Sequence, residues 1–304
     1  MEAASGIDHF GYGWVTPFLA YLSSFVGALV ALLATSRARP SDGARRFGWL
    51  TVAALALGCS SIWSMHFIAM LGFDVHGTAI RYDVGLTVLS LALAVLVVGL
   101  GLAVVTLGRG RLWSLLVAGP VTGLGVAAMH YTGMASVRLH GTLHHDRTFV
   151  ALAVLIAILA ATAALWAALY VRGRLASVGA ALVMGVAVCA MHYTAMAGTG
   201  VDVAPDALLL SPPAGARETD FVLPLILGVG LPTIVLVQLL LISDNEREIV
   251  RERTLRDRFE ALRGAARAAD DAHPTAAPPG PGMFTPGPAA PPDNGPAGPP
   301  RGER

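Results

Sequence analysis

Seven stretches of about twenty apolar residues constrain what this chain can become. They run over roughly 15–35, 47–71, 84–107, 112–135, 149–171, 175–197 and 221–242. A helix rises 1.5 Å per residue, so twenty residues cross the roughly 30 Å hydrocarbon core of a bilayer. No water is available there, so each crossing stretch must satisfy its own backbone groups as a helix. Only 13% of the residues are charged while 55% are hydrophobic, a balance that no ordinary soluble domain shows. The expected fold is an all-α membrane protein with seven transmembrane helices, and its first partner is the lipid bilayer. The net charge is +1 and no basic patch stands out, so no nucleic-acid partner is expected.

Arginine orients the helices. All 21 basic residues are arginine. Arg37, Arg39, Arg45 and Arg46 fall in 36–46, Arg109 and Arg111 in 108–111, and Arg172 and Arg174 in 172–174. The alternate loops hold only Arg81, Arg138, Arg147 and Arg217, with acids nearby. Arginine-rich loops stay cytoplasmic, which sets the N-terminus outside and the C-terminus inside. Arg247, Arg251 and Arg253 agree with that orientation. Residues 1–14 lack the basic start of a signal peptide and read as an extracytoplasmic N-terminus. The membrane domain is 15–242. Leu255, Phe259 and Leu262 share a helical face, so 243–269 reads as a short cytoplasmic helix. Residues 270–304 are rich in Pro, Gly and Ala and read as a disordered cytoplasmic tail. No kinase, nucleotide cyclase or DNA-binding unit fits there, so the chain is not expected to be an enzyme. The expected location is a bacterial inner or plasma membrane, crossed several times.

One motif recurs inside this frame. Met129-His130-Tyr131-Thr132-Gly133-Met134 returns as Met191-His192-Tyr193-Thr194-Ala195-Met196 and, more loosely, as Met65-His66-Phe67-Ile68-Ala69-Met70. The histidines are 64 and 62 residues apart, the length of a helix pair, so the membrane domain reads as a helix-pair pseudo-repeat. Helices two, four and six run the same way, and each histidine comes about 18–20 residues, or roughly 27–30 Å, after the inner end. All three therefore lie in one layer near the outer face. A three-fold arrangement would turn helices two, four and six toward a shared axis, with the odd helices outside and helix seven extra. Gly123, Gly125, Gly133, Gly185 and Gly198 support close packing there.

An ionisable group inside a spanning helix is costly and marks function. Imidazole suits copper, zinc and iron, and thioether sulfur selects Cu(I), so His and Met at one depth favour copper. Helix axes about 8–10 Å apart let three imidazoles reach one ion with a methionine as a long axial ligand; two smaller sites fit the same layer. Met70, Met134 and Met196 share the face of their histidine four residues earlier. Met65, Met129 and Met191 point about 100° away. The competing reading is a layer of hydrogen-bonded core histidines with methionines as gap fillers. Cys59 and Cys189 lie on the histidine faces, yet a small buried thiol is ordinarily a core residue. His140, His144 and His145 sit in an outer loop, where they would guide metal inward or simply be solvated, and Asp74, His76 and Asp83 read the same way.

These motifs resemble those of the MHYT-domain family, bacterial integral membrane sensors named for the tetrapeptide. Trp63-x-Met65-His66-Phe67-Ile68 resembles the variant in that family's second helix, and Ser24-x-x-Gly27 and Tyr82-Asp83 are similar too. The resemblance covers residues 12–242 and implies a copper site that senses oxygen, carbon monoxide or nitric oxide. The ligands it implies are Met65, His66, Met70, Met129, His130, Met134, Met191, His192 and Met196. Many members carry a cyclic-dinucleotide or kinase output domain, which this chain lacks in the residues given, so an unknown cytoplasmic signalling partner is expected. Two other functions fit the layer: copper storage or delivery to an extracytoplasmic metalloenzyme, and proton-coupled transport through the histidines. The scarcity of intramembrane acids counts against the last.

Overall fold

A computed structural model describes residues 6–108 and 111–272, apart from the side chains of 239, 241–253, 266 and 269–272. Seven long apolar helices form as expected: α1 (Val15–Ala38), α2 (Gly43–Met70), α3 (Val84–Leu107), α4 (Leu112–Ala135), α5 (Arg147–Tyr170), α6 (Arg174–Ala197) and α7 (Glu218–Gln238). Local chemistry sets their starts. The Asp83 carboxylate accepts the Leu86 N–H at 3.0 Å, and the Asp146 carboxylate accepts those of Thr148 and Phe149. Each satisfies a donor that the first turn leaves unpaired. In α7, the helical path that begins at Leu231 continues without a break to Ala272. The expected tail lies outside the described residues from 273 onward.

Consecutive helices from α1 to α6 lie side by side, and α6 returns to α1, so six helices close a ring. Lipid gives little hydrophobic drive for helices to associate, so close backbone approach and polar bridges carry the packing. A Cβ on Gly27 of α1 would come within 2.5 Å of the Ser61 nitrogen of α2, so only glycine allows that crossing. Beside it, the Ser24 and Ser61 hydroxyls meet at 3.1 Å. The Trp63 indole N–H donates to the Ser90 hydroxyl of α3 at 3.0 Å.

Two helices contain a π-helical stretch, Ala56–Trp63 in α2 and Ile226–Gly230 in α7. Such turns carry an extra residue per turn and are frequent at functional sites. In α2, the Ser64 hydroxyl donates to the Cys59 carbonyl five residues back, at 2.9 Å. In α7, Pro224 and Pro232 flank the wide turn, and proline supplies no N–H to the ladder.

The loops at the C-terminal ends of α2, α4 and α6 were expected to be plain polar connections; they pair into small antiparallel sheets. β1 (Ile7–Asp8) pairs with β2 (Asp74–Val75), β3 (Arg81–Tyr82) with β4 (Val137–Arg138), and β5 (Gly141–His145) with β6 (Thr199–Val203). The N-terminal segment is therefore anchored on the bundle, with the Gly11 N–H donating to the Gly72 carbonyl and the His76 N–H to the Gly6 carbonyl.

Helix α7 stands outside the ring, as the extra helix should. It is held against α2, the loop after α2, and α1 at three levels. The Phe221 ring lies 6.0 Å from Phe67 and 5.8 Å from Tyr82. The Thr233 and Ser60 hydroxyls are 2.7 Å apart, which joins the region of one π turn to the other. Arg37 of α1 donates to the Leu240 carbonyl at 2.8 Å while its guanidinium lies over Trp49 of α2.

Candidate metal centre

Helices α2, α4 and α6 are parallel to one another because one antiparallel helix separates each from the next. Each carries its histidine four or five residues before its last residue, so the three imidazoles arrive at one height. They also arrive at one point. The His66 Nδ1 lies 3.1 Å from the His192 Nδ1 and 3.2 Å from the His130 Nδ1. Ring centroids are 4.9–5.2 Å apart and the planes stand at 77–81° to each other. All three side chains are essentially sealed from solvent, at 0–1% exposure. Of the two arrangements the sequence allowed, the histidines form one cluster rather than two smaller ones.

Hydrogen bonding among the imidazoles alone is a poor account of this cluster. A neutral imidazole has one N–H and one lone pair, so His66 Nδ1 can only share one proton, or one lone pair, between two neighbours. The buried Nε2 atoms of His66 and His130 have no partner among the described residues. A cation resolves the convergence, because three Nδ1 lone pairs can point at one ion. Two nitrogens 3.1–3.2 Å apart lie within the span that two metal–nitrogen bonds of about 2.0–2.1 Å can bridge. The three histidines could therefore hold a metal ion, and no cysteine, aspartate or glutamate joins them in that convergence among the described residues.

Helix α4 makes room for this arrangement at one residue. A Cβ on Gly133 would meet the His66 Nε2 at 2.5 Å, so the α2 imidazole rests on bare backbone. The other copies hold Ala69 and Ala195 at this position. The residue after each histidine packs edge-on against it: Phe67 at 5.0 Å, Tyr131 at 4.9 Å and Tyr193 at 5.0 Å. These rings keep water from the cluster. Their outer contacts differ. Phe67 reaches Phe221 of α7, Tyr131 reaches His145 at 5.4 Å, and Tyr193 stacks on Phe10 at 6.0 Å. A phenylalanine in the first copy thus matches an apolar neighbour on α7.

All six motif methionines are buried at 0–3% exposure. Met65 packs with Ala20 and Ala69 in a cluster of its own. Met134 lines an outer cleft with Tyr131 and His145, and Met191 borders an apolar cavity deeper in the bundle. Cys59 and Cys189 are free thiols. Among the histidines of the 139–146 loop, His145 reaches the cluster's aromatic wall, its ring 5.4 Å from that of Tyr131 and its Nδ1 3.2 Å from the Thr199 hydroxyl. Burial, then repulsion from His144, pulls its pKa below the usual imidazole range. His140 bonds the Ser211 carbonyl and His144 faces Asp202. Asp74 and His76 belong to the β1–β2 anchoring, and Asp83 caps α3 and pairs with Arg138 at 2.8 Å. Phe10, Ser60 and Thr233 escaped the sequence reading because nothing in their spacing signals a contact.

The chain matches the MHYT family model, described as a bacterial signalling protein N-terminal repeat, twice, over residues 60–119 and 123–181. These copies contain His66 and His130; the His192 copy lies beyond them. The chain is 40% identical over 203 residues to the cyclic di-GMP phosphodiesterase NbdA of Pseudomonas aeruginosa, covering 65% of this chain and 24% of that one. It is 35% identical over 191 residues to the bifunctional diguanylate cyclase/cyclic di-GMP phosphodiesterase MucR of the same organism, covering 61% and 28%. An uncharacterized signaling protein of Caulobacter vibrioides is 33% identical over 179 residues, covering 58% and 21%. The chain thus spans about a quarter of the length of the curated relatives it matches. No solved structure matches it.

Proposed function

We propose, from the two MHYT repeats that this chain carries, that its histidine triad holds copper and responds to a diatomic gas or to redox state. The observation that carries the reading is the convergence of three buried imidazoles, with the His66 Nδ1 within 3.2 Å of the other two Nδ1 atoms. Buried thioethers around that layer favour Cu(I) over zinc, and no hard oxygen cage is available. Copper bound there would supply an open coordination position and a change of valence.

The chain's own residues supply the rest. Phe67, Tyr131 and Tyr193 exclude water. His66 touches both other histidines, so its position reports the state of the whole cluster. Helix α2 carries that position to α7 through Phe67 against Phe221 and through Ser60 bonded to Thr233. A shift of α7 would then reach a cytoplasmic signalling partner, and the cyclic di-GMP activities that two relatives are named for suggest cyclic di-GMP turnover as the output served. The chain acts in this reading as a non-catalytic sensor. A proton-coupled transporter is disfavoured because α1 to α6 contain no Asp or Glu. Copper delivery is favoured by one feature, the outer cleft of about 500 Å³ that Met134 and His145 line.

Protein purified in detergent and loaded anaerobically should retain about one copper per chain, and its Cu(I) form should bind CO with a shifted C–O stretch in the infrared. Changing Met70, Met134 and Met196 to Leu preserves apolar volume, so folding should lose under about 1.5 kcal/mol per site. Cu(I) affinity should fall at least tenfold. The same change at Met65, Met129 and Met191 should leave affinity nearly intact. Retention of zinc in place of copper, or a Cu(I) form inert to CO, would reject the sensor reading.

We further infer that the histidine layer lies near the outer face, with the N-terminus outside. A reporter fused after Asp244 should be cytoplasmic, and a tag in the 139–146 loop should be labelled from outside. A surface-exposed fusion would reverse the orientation.

A further inference from the structure

An apolar space of about 70 Å³ lies deeper in the bundle than the triad. Ile62, Val126 and Val188 line it, and each stands four residues before one of the three histidines. Four residues are about 6 Å of helix rise, on the same face. Met191, next to His192, lines it as well, and most of the remaining wall comes from α5 and α6. The cavity thus begins one helical turn from the histidines.

Its lining selects what can occupy it. Thr122 is the polar residue among its walls that has an unsatisfied group: the side chain is buried, and its hydroxyl has no hydrogen-bond partner. A buried water needs two to four polar partners, so one hydroxyl does not hold water well. The volume is about half the roughly 150 Å³ of a dry cavity that takes up benzene or xenon. A lipid chain or an organic cofactor is too large. At the far side the walls include Ala163 and Val183, both exposed on the bundle surface between α5 and α6. That surface faces hydrocarbon, where small apolar gases concentrate relative to water.

We propose that this cavity is a docking site for a diatomic gas, entered sideways from the bilayer between α5 and α6 and delivering to the triad above. The inference rests on the triad being a gas-responsive metal centre. Thr122 offers the docked molecule a single weak hydrogen bond.

Two measurements test it separately. Xenon pressurisation of crystals of the metal-free protein should place a xenon atom between Ile62, Val126 and Val188, and Ala161→Leu, which fills the cavity, should abolish it. In the Cu(I) protein, CO rebinding after flash photolysis should slow at least fivefold in Ala161→Leu. It should also slow in Val183→Phe, which narrows the mouth without crowding the core. A cavity that takes up no xenon overturns the proposal. Xenon uptake with CO rebinding unchanged in both variants overturns it as a route. Xenon in the cavity together with a Cu(I) centre that never binds CO rejects the gas reading of the triad, while upholding the cavity as an apolar-gas site.

Discussion

Replacing His66, His130 and His192 together by alanine should reduce copper content from about one per chain to background while the bundle remains helical. The three imidazoles could together hold a metal ion, whereas the six methionine sulfurs left behind would be soft but weak ligands. Among single changes, His66→Ala should lose the most, because His66 alone is within 3.2 Å of both other Nδ1 atoms. The fold should tolerate the change better than the site. Each truncation leaves a cavity, which costs on the order of 2–5 kcal/mol for a large buried apolar side chain. It also removes a buried imidazole whose second nitrogen is unpaired in two of the three cases, which offsets part of that cost. His→Leu at the same positions keeps more of the volume and serves as the packing control. Metal analysis with circular dichroism on the same samples reads both effects. Full copper occupancy in the folded triple variant would end the case for a histidine site.

The parts of this molecule that lipid dictates are the parts legible in its sequence. Twenty apolar residues must form a helix because nothing else satisfies their backbone in hydrocarbon, so α1 to α7 lie close to their expected bounds. The common height of His66, His130 and His192 follows from their 64- and 62-residue spacing and the alternation of helix direction. What packing decides was hidden. The wide turn at Ala56–Trp63 depends on α1 pressing its Gly27 backbone against Ser61 and on the Ser64 hydroxyl reaching the Cys59 carbonyl, and hydropathy carries no trace of either. Strands of two residues, such as Ile7–Asp8, are too short to show a period of two. Phe67, in place of the tyrosine of the other copies, resembles a family variant, but its partner Phe221 of α7 shows only in the packing. The alanines of α5 border a void together with α6, and nothing in their spacing signals it. The methionine ligands are a matter of side-chain direction around each helix, which the mutant pairs above decide by affinity.

Gly133→Ala should lower copper affinity about 10- to 100-fold, the range seen when groups that orient a ligand are lost. The added methyl would stand 2.5 Å from the His66 Nε2 and 3.1 Å from its Cδ2. The imidazole must rotate or α2 must withdraw, and either motion takes the Nδ1 from its two partners. The effect on stability should differ in kind. Alanine is favoured over glycine in a helix interior by about 1 kcal/mol, while crowding a packed core costs about 1–3 kcal/mol. The metal-free variant should therefore melt within a few degrees of the parent. Ala195→Gly, at the matching residue of α6, is the mirror control. It should lose about 1 kcal/mol of stability from helix propensity and keep its metal affinity, because it removes a methyl instead of adding one beside a histidine. A copper competition titration beside a thermal melt of the metal-free proteins separates the two. If Gly133→Ala bound copper like the parent, the His66 ring would not need its place against α4, and the cluster as built from three Nδ1 atoms would be the wrong geometry for the ion.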